Sequence, residues 1–234
     1  MKNIAIIPAR GGSKRIPYKN IKEFHGKPII AYSIECALET NLFDEVMVST
    51  DDRIIADIAI KYGASVPFMR SATTSGDYSS TLDVLKEVEG MYRKEYDKSF
   101  DFICCIYATA PFIKSEHLKK GYRMIFDQGY SSVFPVVRFS YPIWRGLRIN
   151  ALDKIEMIWH EYLNSRSQDL ESVYHDAGQW YWYNPKLVED SLFTENSSSV
   201  ILSDEEVQDI DTINDWKLAE IKYEYIQSIK KASL

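Results

Sequence analysis

Cysteine is scarce in this chain of 234 residues: Cys36, Cys104 and Cys105 are the only three, and none forms a C-x-x-C pair. The odd count excludes a disulfide framework, and with four scattered histidines it leaves no zinc-thiolate spacing. Long apolar runs are also missing. The first, Ile4 to Ile7, is cut short by Pro8 and Arg10. A secretory core needs about 7–15 apolar residues, and a membrane span needs ~18. A cytoplasmic protein without a membrane partner is therefore expected. Excess positive charge is absent too. Lys and Arg total 28 against 34 Asp and Glu, a formal charge of -6. Nucleic-acid binders carry a basic surface, so nucleic acid is excluded as a partner class, but a small anion held by a local basic cluster is not. There is no internal repeat and no low-complexity tract. What is abundant is aromatic: 13% of residues, with 16 Tyr and 5 Trp. With 45% hydrophobic and 26% charged residues, the composition is that of a globular domain, long enough for one full core.

Short apolar runs alternate with amphipathic stretches. Ile4 to Ile7 reads as a buried strand, followed by a Gly11-Gly12-Ser13 loop. Pro28 suits a first helical turn, and Ile30, Ile34, Ala37 and Leu38 share one helical face. Glu45 to Ser49 is a second strand. Asp52 is placed to cap a helix that Gly63 stops. Ser79 or Ser80 caps the next, through Leu82, Leu85 and Val88. Phe102 to Ile106 is a continuous apolar run, as a buried parallel strand should be. A helix follows from Ser115 to near Gly129, then a strand from Ser132 to Val137. This rhythm predicts an α/β fold with a mostly parallel sheet covered on both faces. From about 138 to 184 helical periodicity fades and aromatics crowd, which reads as a β-rich insertion into a single domain spanning 1–234. Val207 to Asp211 reads as extended. Thr212 with Asp215 resembles a capping box opening a last helix from about Asn214 to Ile229.

Three segments could carry chemistry. The loop after the first strand holds Arg10, Lys14, Arg15, Lys19 and Lys22 with no acid among them. It lies at the carboxyl end of a strand, where α/β sheets bind ligands, and its glycines let backbone N–H groups approach an anion. It is a phosphate cradle or a solvated basic loop. It is neither a Walker A loop, since Gly26-Lys27 is followed by Pro28, nor a G-x-G-x-x-G fingerprint. The second segment is Asp209-Ile210-Asp211. In an extended chain residues i and i+2 share a side, so both carboxylates face one point and Ile210 faces the core. Such a pair suits Mg²⁺, which takes one or two carboxylates plus phosphate oxygens; the plainer alternative is two surface acids favoured near a helix N-terminus. The third is Arg166 to Leu170 with Tyr174 to Trp182. Arginine holds carboxylates bidentately, and His175 and Gln179 suit sugar hydroxyls. The alternative is a buried aromatic ridge at an interface. His160-Glu161 lacks a second zincin histidine at position 164, no G-x-S-x-G occurs, and the adjacent Cys104 and Cys105 read as packing residues.

Ile6-Ile7-Pro8-Ala9-Arg10-Gly11-Gly12-Ser13-Lys14 with Lys19-Asn20, then Ser49-Thr50-Asp51, then Gln208-Asp209-Ile210-Asp211-Thr212, together resemble the cytidylyltransferases that activate nine-carbon acidic sugars, the CMP-sialic acid synthetase family. The resemblance runs in consistent order over nearly the whole chain. Ser165 to Leu170 and Tyr174 to Gln179 look most like the branch acting on pseudaminic acid. One departure is Tyr107-Ala108-Thr109-Ala110-Pro111, where the family usually has Gln-Pro-Thr-Ser-Pro; the missing Gln touches the sugar in sialic acid enzymes.

The resemblance implies a three-layer α/β/α Rossmann-like nucleotide-diphospho-sugar transferase fold and a cytidylyltransferase reaction with CTP, Mg²⁺ and a nine-carbon keto-acid sugar. Arg10, Ser13 and Lys19 would contact the phosphates, beside the Gly11 and Gly12 backbone, and Asn20, Arg70 and Thr81 the ribose and cytosine. Asp209 and Asp211 would hold Mg²⁺, with Arg10, Lys19 and Asp211 closest to the chemistry. Thr109, Arg145, Arg166 and Gln179 would line the sugar side. The family forms dimers, which implies a homodimer with the 138–184 segment reaching toward the partner's site. Rival expectations are a sialic or legionaminic acid acceptor, a non-catalytic CTP-binding relative, or a glycosyltransferase sharing the D-x-D theme.

Overall fold

Asn3–Pro8 forms β1, and its side chains alternate between two cores. Ala5 and Ile7 face one side of the sheet, Ile4 and Ile6 the other, as a period of two requires. The computed structural model describes residues 1–76 and 79–232. Two short strands, β2 (Glu23–Phe24) and β3 (Lys27–Pro28), form a ribbon that leads into helix α1 (Ile29–Thr40). Strand β4 (Glu45–Ser49) and helix α2 (Arg53–Lys61) follow, then α3 (Thr81–Tyr96), β5 (Phe102–Ile106), α4 (Ser115–Gln128) and β6 (Ser132–Arg138). The remaining elements are β7 (Leu147–Ile149), β8 (Ile155–Met157), β9 (Tyr174–Asp176), β10 (Trp180–Tyr183), β11 (Ser197–Leu202) and α5 (Ile213–Ala232).

The central sheet runs β11-β6-β10-β5-β1-β4, with β9 also paired to β6. Strands β4, β1, β5, β6 and β11 run one way, and β9 and β10 run against them. Residues of α1, α2 and α4, among them Ile30, Ile34, Ile55, Ala59, Leu118 and Ile125, pack on one face, and Leu82, Leu85, Val88 and Tyr92 of α3 on the other. The result is the expected α/β/α sandwich. The anticipated caps are present. The Asp52 carboxylate accepts from the Ile54 and Ile55 amides, and Ser80 forms a reciprocal capping box with Asp83. Gly63 and Gly129 follow their helices with positive φ. Leu38, expected on the buried face of α1, is 41% exposed.

The stretch 138–184 is β-rich, but its second half belongs to the main sheet. Trp180 and Trp182 are fully buried on β10, wedged between β5 and β6. They are core residues and not an interface ridge. The Trp182 indole donates to the Leu118 carbonyl (3.1 Å), and a Cβ at Gly121 would stand 2.6 Å from the Trp180 ring. Only a glycine lets α4 sit this close. The β7–β8 hairpin lies off the sheet as a separate two-stranded ribbon. Strand β11 has no signature in the sequence, because Ser197-Ser198-Ser199 carries no apolar alternation; parallel pairing with β6 organises it. Val207 to Asp211 pairs with no strand. It is held from beneath by Ile210, which is buried with Phe24, Tyr32 and Trp216 under α5.

Candidate active site

The segments after β1 and β5, Arg70 pinned to the end of β4, and the start of α3 enclose a cleft of about 340 Å³ that Asp209 and Asp211 also line. This is where an open α/β sheet exposes its strand ends. The loop after β1 folds back on itself. Asn20 is buried and donates to the Arg10 carbonyl (2.9 Å), while Ile16 anchors the loop in the cluster under α5. Tyr18 takes a left-handed conformation (φ 52°), and a single 3₁₀ turn follows over Lys19–Ile21. The Gly11 amide donates to the Asp51 carboxylate (2.9 Å). A Cβ at Gly11 would meet the Asp52 side chain at 2.8 Å, so glycine is needed there for close approach to the α2 cap.

Arg70 forms the second wall. Its guanidinium donates to the Ser49 hydroxyl (3.0 Å) and carbonyl (2.6 Å), and its amide to the Thr50 carbonyl (2.8 Å). Burial lowers its pKa, and Asp51 and Glu87 oppose that shift. Thr81, at the N-terminus of α3, shares a 3.1 Å hydroxyl contact with Tyr107 beyond β5. Arg10, Ser13, Lys19, Asn20, Arg70, Thr81, Thr109, Asp209 and Asp211 all line this cleft. All but Thr109 are expected from the sequence at the nucleotide, the metal or the reacting centre; Thr109 is expected on the sugar side and stands here with them. Gly11 and Gly12, expected at the phosphates, are not among the residues that line the cleft; Gly11 is turned against Asp51 and Asp52 instead.

The basic loop and the terminal acids meet directly. The Lys19 ammonium donates to the Ile210 carbonyl (2.6 Å) and stands 3.7 Å from an Asp211 oxygen. Arg15 pairs with the same oxygen at 2.9 Å. Burial lowers the Lys19 pKa against the pull of Asp211 and Asp209. Desolvation and the neighbouring Asp211 raise the Asp209 pKa, with Lys19 opposing. Among the described residues no group of three His, Cys, Asp or Glu is gathered around one point. A cation here would have two carboxylates as its protein ligands.

A second cavity of about 640 Å³ adjoins the first and shares Tyr107 and Asp209 with it. It opens where β10 gives way to β9. Tyr107 donates its amide to Gln179, Ala177 donates to Pro135, and Gly178 turns between them with φ 60°. β9 on one side of that turn pairs with β6, whereas β10 on the other side lies between β5 and β6. His175, Asp176 and Tyr181 line the cavity, and the Tyr181 hydroxyl donates to Asp176.

The sugar-side expectations are only partly met. Thr109 is in the nucleotide cleft and His175 in the second cavity. Gln179, immediately before β10, lines neither: it is 3% exposed and its side-chain amide donates to the Glu206 carbonyl (2.6 Å). Arg166 lies on the surface in a two-bond pair with Asp169 (2.7 and 3.1 Å), and Arg145 is exposed away from both cavities. Tyr107 and Lys222 line the second cavity without having been singled out. A lysine on an amphipathic helix looks like any solvated charge in sequence, and Tyr107 drew notice only as a departure from a pattern. Cys104 and Cys105 are fully buried on β5, and burial pushes the Cys36 thiol up to about 12, so none is a poised nucleophile.

The sequence profile of a family described as cytidylyltransferase matches residues 4–209. A pseudaminic acid cytidylyltransferase of Campylobacter jejuni subsp. jejuni is 44% identical over 225 residues, covering 95% of this chain and 97% of that one. A CMP-N,N'-diacetyllegionaminic acid synthase of Legionella pneumophila is 34% identical over 94% of this chain and 95% of its own. An N-acylneuraminate cytidylyltransferase A of Danio rerio is 37% identical over 92% of this chain and 49% of its own. The fold matches that of a CMP:2-keto-3-deoxy-manno-octonic acid synthetase solved with CTP, with a TM-score of 0.66 at 19% identity, covering 97% of this chain and 100% of that one.

Proposed function

The chain belongs to the cytidylyltransferase family, and from that premise we propose that it joins CTP to pseudaminic acid, giving CMP-pseudaminic acid and pyrophosphate. The observation that carries this reading is the convergence of Arg10, Ser13 and Lys19 with Asp209 and Asp211 on one cleft, beside a second cavity large enough for a sugar. Similarity to the pseudaminic acid enzyme over nearly the full length of both chains supports the choice of acceptor.

In this reading the triphosphate lies along the basic loop, with the base and ribose against Asn20, Arg70 and Thr81. The acceptor enters the second cavity and meets the nucleotide where Tyr107 and Asp209 line both spaces. Its anomeric oxygen forms a bond to the α-phosphorus, and the bond from that phosphorus to the bridging oxygen breaks in line. Pyrophosphate leaves, and the hydroxyl proton is lost. Lys19 and Arg10 present fixed donors to the charge that builds on the phosphoryl oxygens. The position of Lys19 is already set by its bond to Ile210, so little reorganisation is required at the moment of reaction.

Asp209 and Asp211 fit Mg²⁺. Burial first and the neighbouring Asp211 second raise the Asp209 pKa, a cost that a bound cation would relieve, and two carboxylates leave room for water and phosphate oxygens. When bound, the ion supplies neutralising charge at the triphosphate. We further propose a cytoplasmic homodimer. The β7–β8 hairpin carries Ile149 at 73% and Leu152 at 75% exposure, with Leu147 and Ile155 also exposed, an apolar surface suited to a second copy. No described helix is long and apolar enough to cross a membrane.

The test is pyrophosphate release from CTP and Mg²⁺ with pseudaminic, legionaminic and N-acetylneuraminic acids in parallel. Preferred turnover of pseudaminic acid is expected. Preference for another acid would move the assignment to that branch. CTP binding without release on any acceptor would mark a non-catalytic relative.

A further inference from the structure

The second cavity is lined by three acids, Asp176, Asp204 and Asp209, and among its described lining residues Lys222 is the single lysine or arginine. His175 is the other group there able to carry positive charge, and its Nδ1 lies 2.9 Å from the Asp176 carbonyl. In the proposed reaction the acceptor is a keto-acid sugar in ring form, whose carboxylate and attacking hydroxyl sit on the same carbon. With the sugar in this cavity and that hydroxyl turned toward the nucleotide, the carboxylate is placed on the side of these acids. Like charges repel there unless a cation intervenes.

Lys222 is built for that task. It reaches from α5 and donates to the Val207 carbonyl (2.8 Å) and the Asp204 carbonyl (3.1 Å). An ammonium has three N–H donors, so one is left for a ligand in the cavity. The two carbonyl bonds hold the long side chain in place, which reduces the ordering cost on binding. Val207 stands two residues before Asp209, so the same lysine braces the strand of chain that presents the carboxylate pair.

We infer that the Lys222 ammonium binds the acceptor's carboxylate and thereby aligns the geminal hydroxyl for attack. The inference rests on the proposed acceptor class. A charge-assisted hydrogen bond of this kind is worth about tenfold or more in affinity.

The test compares the acid acceptor with its neutral carboxamide in wild type, Lys222→Met and Lys222→Arg, with melting curves to establish folding. Lys222→Met is expected to raise KM for the acid at least about tenfold and leave KM for CTP within about twofold. The wild-type preference for acid over carboxamide should collapse in Lys222→Met and largely survive in Lys222→Arg. Should Lys222→Met fail to fold, Lys222→Gln is read in the same way. An unchanged preference, or equal loss for acid and carboxamide, overturns the inference and leaves Lys222 as a brace for residues 204–207. No turnover by wild type on any keto-acid sugar overturns the proposed function and this inference together, whereas turnover with an unaltered preference overturns the inference alone.

Discussion

The Lys19 ammonium donates a 2.6 Å hydrogen bond to the carbonyl of Ile210, across 191 positions of sequence. Ile210 itself is buried, and its two neighbours, Asp209 and Asp211, turn into the cleft. One side chain of the first loop thus sets where Asp209 and Asp211 stand. The bond also explains why Lys19 is buried deeply enough for its pKa to fall while it remains beside two carboxylates.

Lys19→Ala and Asp211→Asn should each lower turnover by about 10²–10³, the usual cost of removing one preorganised group at developing charge. Both proteins should stay folded, since the cluster around Ile210, Phe24 and Trp216 is untouched. Pyrophosphate release with purified variants measures this. Near-normal rates in either would remove that residue from the reacting centre.

Asp209→Asn should abolish most activity and yet raise the melting temperature of the metal-free, nucleotide-free protein at pH 7. The sign follows from the raised pKa of Asp209. The folded state binds this proton more tightly than the unfolded chain, so stability falls as pH rises from the unfolded value through the folded one. The penalty is present wherever the carboxylate is ionised in the folded protein, and asparagine removes it. Calorimetric melts with and without Mg²⁺ and CTP check both halves. A lower melting temperature for the bare variant would contradict the electrostatic account.

Gly11→Ala should weaken CTP binding more than it weakens the fold. The added methyl would lie 2.8 Å from the Asp52 carboxylate, so either the loop or the α2 cap must shift. Binding of CTP by titration calorimetry is expected to drop by about tenfold or more, since displacement near 1 Å at a reacting site is costly. Gly12→Ala, with open space around its Cβ position, serves as the control. Equal effects at the two positions would argue against this.

Gly121→Ala acts on stability alone. Its methyl would stand 2.6 Å from the Trp180 ring in the packed layer between α4 and β10. Overpacking of this kind costs about 1–3 kcal/mol. Urea unfolding should show the loss in midpoint, while KM for CTP stays unchanged.

Ile149→Asp together with Ile155→Asp should convert the proposed dimer to monomer. The pair places charge on the exposed apolar hairpin and touches no core residue. Sedimentation velocity reads the result directly. A wild-type protein that sediments as a monomer would remove the dimer from the proposal.

Local chemistry determined much of this protein in advance. Strands β1, β4 and β5 are short apolar runs, and the caps at Asp52, Ser80 and Thr212 are side chains that bond amides within three residues. Such contacts need no tertiary partner, so sequence suffices for them. The same holds for Asp209 and Asp211, whose shared side follows from the alternation of an extended chain around one buried isoleucine. Tertiary structure decided the rest. Trp180 and Trp182 are aromatic wherever they lie, and only pairing with β5 and β6 put them in the core. Gln179 is buried just before β10, Arg145 and Arg166 lie outside on the surface, and Lys222 of α5 is brought beside Tyr107 in the second cavity. Contacts within a few residues are set by local geometry. Those across the sheet depend on which strand lies beside which, and that order is chosen by the packing of the whole chain.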